Sequence, residues 1–245
     1  MDWSLLAVAG LGLFLAGIVK GSTGLGYSSC ALPFLATSIG LKPAMGLVII
    51  PALATNISVA FTAGHFREIV TRFTPLYLAM LPGIAVGVGL SALLATTMAA
   101  KLLGIVIIMY ALMSLARPRF QLPPHYVVPL QMPTGFTNGI ITGLTGSQVM
   151  PLFPYMMSIE LDSARLVQAI NLAVMIASVF LAISLLSAGL LTPDLVLWSI
   201  AAIAPALLGV QIGNALRKKI PAQHFRSVVL YVLMGTGALL LIRGH

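Results

Sequence analysis

Of 245 residues, 59% are hydrophobic and only 7% charged, and the mean hydropathy is +1.06. A soluble domain carries roughly 25% charged residues, so a chain of this composition cannot direct most of its surface to water. The formal charge of +8 does not point to nucleic acid, because the thirteen Lys and Arg lie mostly at the ends of apolar runs, without the basic-aromatic face such binding needs.

Taken in chain order, Met1-Asp2-Trp3 offers no basic n-region or small-residue cleavage site, so the first apolar run is expected to stay in the mature fold. About 20 apolar residues cross a hydrocarbon core. The stretch 4–40 is too long for one crossing and is interrupted by glycine, as is 126–159; each is expected to form two crossings or a broken hairpin. Single spans are expected at 43–64, 73–95, 101–116, 166–189, 194–215 and 226–242. The reading is an all-α integral membrane protein of about eight to ten hydrophobic segments. Cys30 is the single cysteine, so no intrachain disulfide can form, and a small buried hydrophobe is its expected state.

The chain repeats itself. In GIVKGSTGLG, Gly17, Gly21 and Gly24 recur as Gly139, Gly143 and Gly146 of GIITGLTGSQ, each 122 residues on. Pro82 in LPGIAVGVG answers Pro205 in APALLGVQIG at an offset of 123. Two repeats are therefore expected, 1–122 and 123–245, forming one membrane domain. Charge placement inverts them. Arg67 and Arg72 follow the third apolar segment of the first half, whereas the matching SAGLLTPD break has no Lys or Arg. One segment later the bias reverses: Lys101 stands alone in the first half, against Arg217, Lys218, Lys219 and Arg226 in the second. Lys and Arg favour cytoplasmic loops. Placing 64–72, 117–125, 160–165 and 217–226 inside puts nine of the thirteen basic residues there and both termini outside. Inverted repeats are a recurring transporter plan, with substrate bound where the halves meet.

The glycine segments carry two readings. Gly17/Gly21, Gly139/Gly143, Gly83/Gly87 and Gly209/Gly213 have the small-xxx-small spacing that lets membrane helices approach. Beyond that spacing, Ser22 and Thr23 precede Gly24-Leu25-Gly26, and Thr145 precedes Gly146-Ser147-Gln148. Clustered glycines with hydroxyl and amide side chains are expected to break a helix within the membrane, where freed backbone is tolerated only in protein or along a cavity. A helix starting at such a break presents N–H donors to an anion. Candidate substrate-binding residues are Gly21, Ser22, Thr23, Gly24, Gly26, Asn56, Gly143, Thr145, Gly146, Ser147, Gln148 and Asn171. Lys20 lies between the first glycines, and snorkelling to an interface is preferred for it over attraction of an anion. Arg165, after Glu160 and Asp162, reads as a loop charge paired locally.

The five acids, Asp2, Glu68, Glu160, Asp162 and Asp194, all fall at segment ends, which leaves no mid-membrane carboxylate for a proton relay. Neither HExxH nor GxSxG occurs, so an enzyme is not expected, nor a cofactor. With the cell interior negative, an outgoing elementary charge gains about 2.3 kcal/mol per 100 mV, so anion export needs no coupling ion.

The motifs GIVKGSTGLG and GFTNGIITGLTG, the segment LKPAMGLVII and the long PALLGVQIGNALRKKIPAQHFRSVVLYVLMGTGALLLI end together resemble the sulfite exporter TauE/SafE family over nearly the whole chain. The resemblance implies export of sulfite, organosulfonates or related sulfur-containing anions across a prokaryotic plasma membrane. One departure stands out: where the family pattern continues into a glycine cluster, this chain has Tyr27-Ser28-Ser29 and Ser147-Gln148, which bears on substrate more than on fold. The reading is thus a multi-pass transporter of a small anion working by alternating access between inverted repeats. Its partners are the anion and the lipid bilayer, with a homodimer left open. The rival readings are a non-transporting membrane assembly subunit, and a transporter of another small solute or a metal.

Overall fold

A computed structural model describes residues 3–24, 26–62, 65–116, 121–217 and 222–243. Among them are twelve helices and no strand. The six expected single spans appear as α3 (Leu41–Thr62), α4 (Phe66–Leu93), α5 (Thr96–Ala116), α9 (Ser163–Ser187), the pair α10 (Pro193–Ala201) and α11 (Ile203–Arg217), and α12 (Ala222–Arg243). Among the described residues four segments are long and apolar enough to cross a membrane: Phe66–Leu93, Thr96–Ala116, Ser163–Ser187 and Pro193–Arg217. At 1.5 Å per residue, 21 residues rise about 31 Å, the thickness of a hydrocarbon core. Pro205 has no N–H for the Ala201 carbonyl, and the last of these segments is interrupted at Ala202 for that reason.

The two over-long stretches are both broken. The first holds α1 (Trp3–Thr23) and α2 (Tyr27–Ile39). The second holds α6 (Pro124–Val127), α7 (Gln131–Thr145) and α8 (Leu152–Met157). At the first break Gly24 and Gly26 have φ of +79° and +89°, and at the second Gly146 has +74°. Side chains rarely tolerate such positive φ, so glycine is what lets the chain turn out of the helix.

The glycine spacing brings two helix pairs into backbone contact. A Cβ on Gly17 would stand 2.3 Å from the Ala206 carbonyl oxygen and 3.0 Å from Gly209 Cα, and one on Gly21 would stand 2.2 Å from the Val210 oxygen and 3.0 Å from Gly213 Cα. The same relation joins α7 to α4: a Cβ on Gly139 would meet the Met80 oxygen at 2.3 Å, and one on Gly143 the Ile84 oxygen at 2.4 Å. In each pair rising numbers meet rising numbers, so α1 runs parallel to α11 and α4 parallel to α7. Each contact joins one half of the chain to the other. Gly209 and Gly213 hold toward α1 the place that Gly83 and Gly87 hold toward α7, at an offset of 126 from 209 − 83 and 213 − 87, three residues away from the Pro82–Pro205 match.

Described residues next to the basic segments lie near one another, while Arg117, Arg119, Lys218 and Lys219 fall outside the described residues. Glu68, at the start of α4, accepts from Arg165 Nε at 2.8 Å, so the segments around 64–72 and 160–165 are neighbours. Leu122 N donates to the Ser158 oxygen at 2.8 Å, which brings 121–123 beside them. On α12, Val229 shares a cavity wall with Met157 and Leu166, which places the helix following 217–221 on that side too.

Arg165 is paired beyond its own loop. It meets Asp162 locally and Glu68 across the fold. Asp162 also caps α9, accepting from Arg165 N at 2.9 Å. The Arg165 backbone N–H and guanidinium hold its carboxyl below the usual carboxylate range.

Candidate functional site

Lys20 is the one charged side chain among the buried described residues, 3% exposed. It does not snorkel. Its ammonium donates to Asn56 Oδ1 at 2.6 Å and to Asn171 Oδ1 at 2.5 Å. The expected route to an interface fails because α1 is sealed on its glycine face by α11 and the side chain leaves into the interior, between α3 and α9. Two of three ammonium donors are thereby used, and no carboxylate stands among its partners. An unpaired buried charge costs several kcal/mol, so this position asks for an anion.

Both asparagines are aimed by their own helices. Asn56 Nδ2 donates to the Ala52 oxygen at 2.7 Å, and Asn171 Nδ2 donates to the Val167 oxygen at 2.7 Å. Each bond runs one turn back along the helix, so each amide must turn its oxygen away, toward Lys20. The geometry also fixes which amide atom is which.

The space beside Lys20 is a cavity of about 20 Å³, lined among others by Gly26, Tyr27, Ser28, Ser29 and Gln148. That admits one water-sized body. The first turn of α2 supplies its wall: Cys30 N bonds back to the Gly26 oxygen, so the N–H groups of Tyr27, Ser28 and Ser29 lie ahead of the first intrahelical bond. Gln148 donates through Nε2 to Ser178 Oγ at 3.0 Å. A second cavity, of about 180 Å³, adjoins the first and shares Gly26, Ser29, Phe153 and Ile170 with it. It is mostly apolar and runs along Met157, Leu166 and Val229 toward the basic segments. Phe153, held edge-on by Tyr110 with centroids 5.5 Å apart, stands between the two.

Of the candidates named from sequence, Gly26, Asn56, Gln148 and Asn171 line the Lys20 cavity. The others lie elsewhere. Gly21 and Gly143 sit in the helix contacts described above. Ser22 and Thr23 donate to the Val19 oxygen at 3.0 and 2.8 Å, and Thr23 lines the larger cavity. Gly24 turns the chain at the end of α1. Gly146 borders a third, smaller space of about 10 Å³. Thr145 Oγ1 donates to the Ile141 oxygen and accepts from Ser147 N at 3.2 Å; Thr145 and Ser147 both serve the second break.

That break has a support the sequence reading did not name. Asn138 Nδ2 donates to the oxygens of Gln148 and Met150, at 3.2 and 2.9 Å, and Thr142 Oγ1 donates to the Ser147 oxygen at 3.2 Å. Carbonyls freed from the helix thus find partners within protein, as membrane burial demands. An Asn directly before Gly139 in GFTNGIITG was the available signal. Tyr27, Ser28, Ser29 and Phe153 were also outside the candidate set. Tyr27-Ser28-Ser29, marked in the sequence only as a departure from the family pattern, reach the site through the turn at Gly24–Gly26, and Phe153 reaches it on α8, after the second break.

Comparison with known proteins now bears on this arrangement. The model of the family described as sulfite exporter TauE/SafE matches residues 9–240. No match was found among curated proteins or among solved structures. A match over nearly the entire chain shows the family and, with the long apolar helices, a multi-pass membrane transporter; this chain belongs to the sulfite exporter TauE/SafE family.

Proposed function

We propose that this protein exports a small sulfur-containing anion, sulfite or an organosulfonate, across a prokaryotic plasma membrane, and that Lys20 is the group that holds it. The observation that carries this reading is the Lys20 ammonium, buried between two amide oxygens with one donor to spare. The α2 amides and the Gln148 side chain complete a shell of neutral dipoles around it. Such groups suit a weakly held anion that must also leave.

Alternating access between inverted repeats is the mechanism we infer. Its support is the reciprocal packing of α1 on α11 and of α4 on α7, which ties each half to the other by the same parallel contact, together with the reversed charge bias of the loops. With the basic segments cytoplasmic, the larger cavity lies on the cytoplasmic side of Lys20, the side from which an exported anion arrives. Rocking of one repeat against the other would then open the opposite side.

Flux from proteoliposomes loaded with sulfite tests the proposal. Release is expected to accelerate with an inside-negative potential and to fall at least about tenfold, the equivalent of 1.4 kcal/mol, in Lys20→Met. That variant leaves the Asn56 and Asn171 oxygens without a donor, at about 1–3 kcal/mol each, so its melting temperature is measured alongside flux. Undiminished flux in a folded Lys20→Met protein would remove Lys20 from the pathway. Cysteine labelling that placed 64–72 and 217–226 on opposite faces would remove the inverted repeat.

A further inference from the structure

We propose that the site accepts its anion only as a monoanion, so that sulfite passes as hydrogensulfite and not as the dianion; this rests on the transport reading above. The site sets a single positive charge among neutral groups, away from bulk water. Lys20 is the only charged residue among the buried described residues. Its partners on α3 and α9, Asn56 and Asn171, are neutral amides that already offer it their oxygens. On α2 the cavity wall brings Tyr27, Ser28 and Ser29, on α9 Ile170 and Val174, and beside α8 Gln148, Val149 and Phe153; none carries a second positive charge.

The titratable groups that come near are few. Tyr27 lines the cavity, while the Cys30 thiol and Tyr110 phenol lie on the neighbouring, larger one. None of these is a cation in any state. Arg165, half-buried, is committed to Glu68 and Asp162 and does not line the cavity.

One ammonium neutralises one charge. A monoanion beside Lys20 makes a neutral pair, whereas a dianion leaves one negative charge uncompensated in low dielectric, where attraction to neutral dipoles does not replace lost hydration. A sulfonate, which carries a single charge at every relevant pH, satisfies the site as it stands. Sulfite satisfies it only while it keeps a proton, and sulfate does not satisfy it.

The experiment is flux through the reconstituted full chain, above the leak of protein-free vesicles, with methanesulfonate, sulfite and sulfate over pH 6 to 9. Methanesulfonate sets the baseline for any titration of the protein itself. The sulfite-to-methanesulfonate ratio is expected to fall by about tenfold per pH unit once the dianion dominates, as a single proton equilibrium requires, with sulfate near leak throughout. Gln148→Lys, which adds a cation to the same wall, is expected to flatten that slope and to admit sulfate. A ratio independent of pH, or wild-type sulfate flux comparable to methanesulfonate, overturns the proposal. Absence of flux for all three anions overturns the transport reading and this inference with it, whereas methanesulfonate flux with a flat ratio overturns this inference alone.

Discussion

Asn171 on α9 accepts a hydrogen bond from Lys20 on α1 at 2.5 Å, across 151 positions of sequence. The bond joins the two halves of the chain at the one buried charge among the described residues. Asn171 can do this only because Val167, one turn earlier, takes its Nδ2 hydrogen at 2.7 Å. The amide is oriented by its own helix and spent on another.

Replacing that amide by a carboxylate is expected to separate stability from activity. Asn171→Asp would place a fixed counter-ion beside Lys20, raise the melting temperature in detergent and abolish anion flux, because the substrate's place is taken. Asn171→Leu removes a hydrogen bond to a charged group, about 1.5–3 kcal/mol, and is expected to lower both melting temperature and flux. The paired measurement checks the role: the two variants should agree on flux and differ in sign on stability.

The helix contacts predict which glycines resist alanine. Gly17→Ala and Gly139→Ala each bring a Cβ to 2.3 Å from a backbone oxygen, so the helices must part, at a cost of about 1–3 kcal/mol. Gly10 and Gly235 have nothing within 4 Å of the added carbon, and alanine there is expected to be neutral or stabilising by up to about 1 kcal/mol. Thermal denaturation of the four variants in one detergent gives the ranking.

Cys30 is the only thiol in the chain and lines the larger cavity. A charged, membrane-impermeant thiol reagent is expected to modify it from one side of sealed vesicles only. Phe153→Ala, which truncates the largest of the four residues shared by the two cavities, is expected to raise the labelling rate several-fold and to admit bulkier sulfonates. Equal labelling from both sides would show that the larger cavity does not belong to one face.

The Asp162 carboxyl, held below its usual range by Arg165, contributes stability that is complete above the ordinary carboxylate pKa and is lost as pH falls through its lowered folded value. Asp162→Asn keeps the helix cap but not the charge. Melting curves of the two proteins are expected to differ at neutral pH and to converge in acid, below about pH 4. Divergence that persists in acid would point to the cap and not to the ion pair.

Much of this was legible in composition and spacing. The apolar runs marked the long helices, since each needs only its own residues to reach across a membrane. The glycine clusters marked both helix breaks, because φ near +80° is a property of one residue. The same glycines marked the contacts of α1 and α7, although which helices they meet was not readable from them.

The site was less legible, and Lys20 shows why. From sequence it is a lysine near a helix end, with a flexible stem that can take its charge to water. Its fate depends on whether α3 and α9 arrive with acceptors on the right face, and those lie 36 and 151 positions away. Ser22, Thr23 and Thr145 read as ligand groups by type, yet each donates to a carbonyl three or four residues back, a local alternative that hydroxyls in helices always have.

By itself the sequence determined a lipid-embedded helical protein, where its helices lie, where two of them break and which family it joins, for these follow from hydropathy and from local backbone preference. Tertiary structure alone decided that a lysine faces inward, which amides hold it and which cavity adjoins it. Burial of a charge is a property of what surrounds it, and residues distant in sequence supply those surroundings.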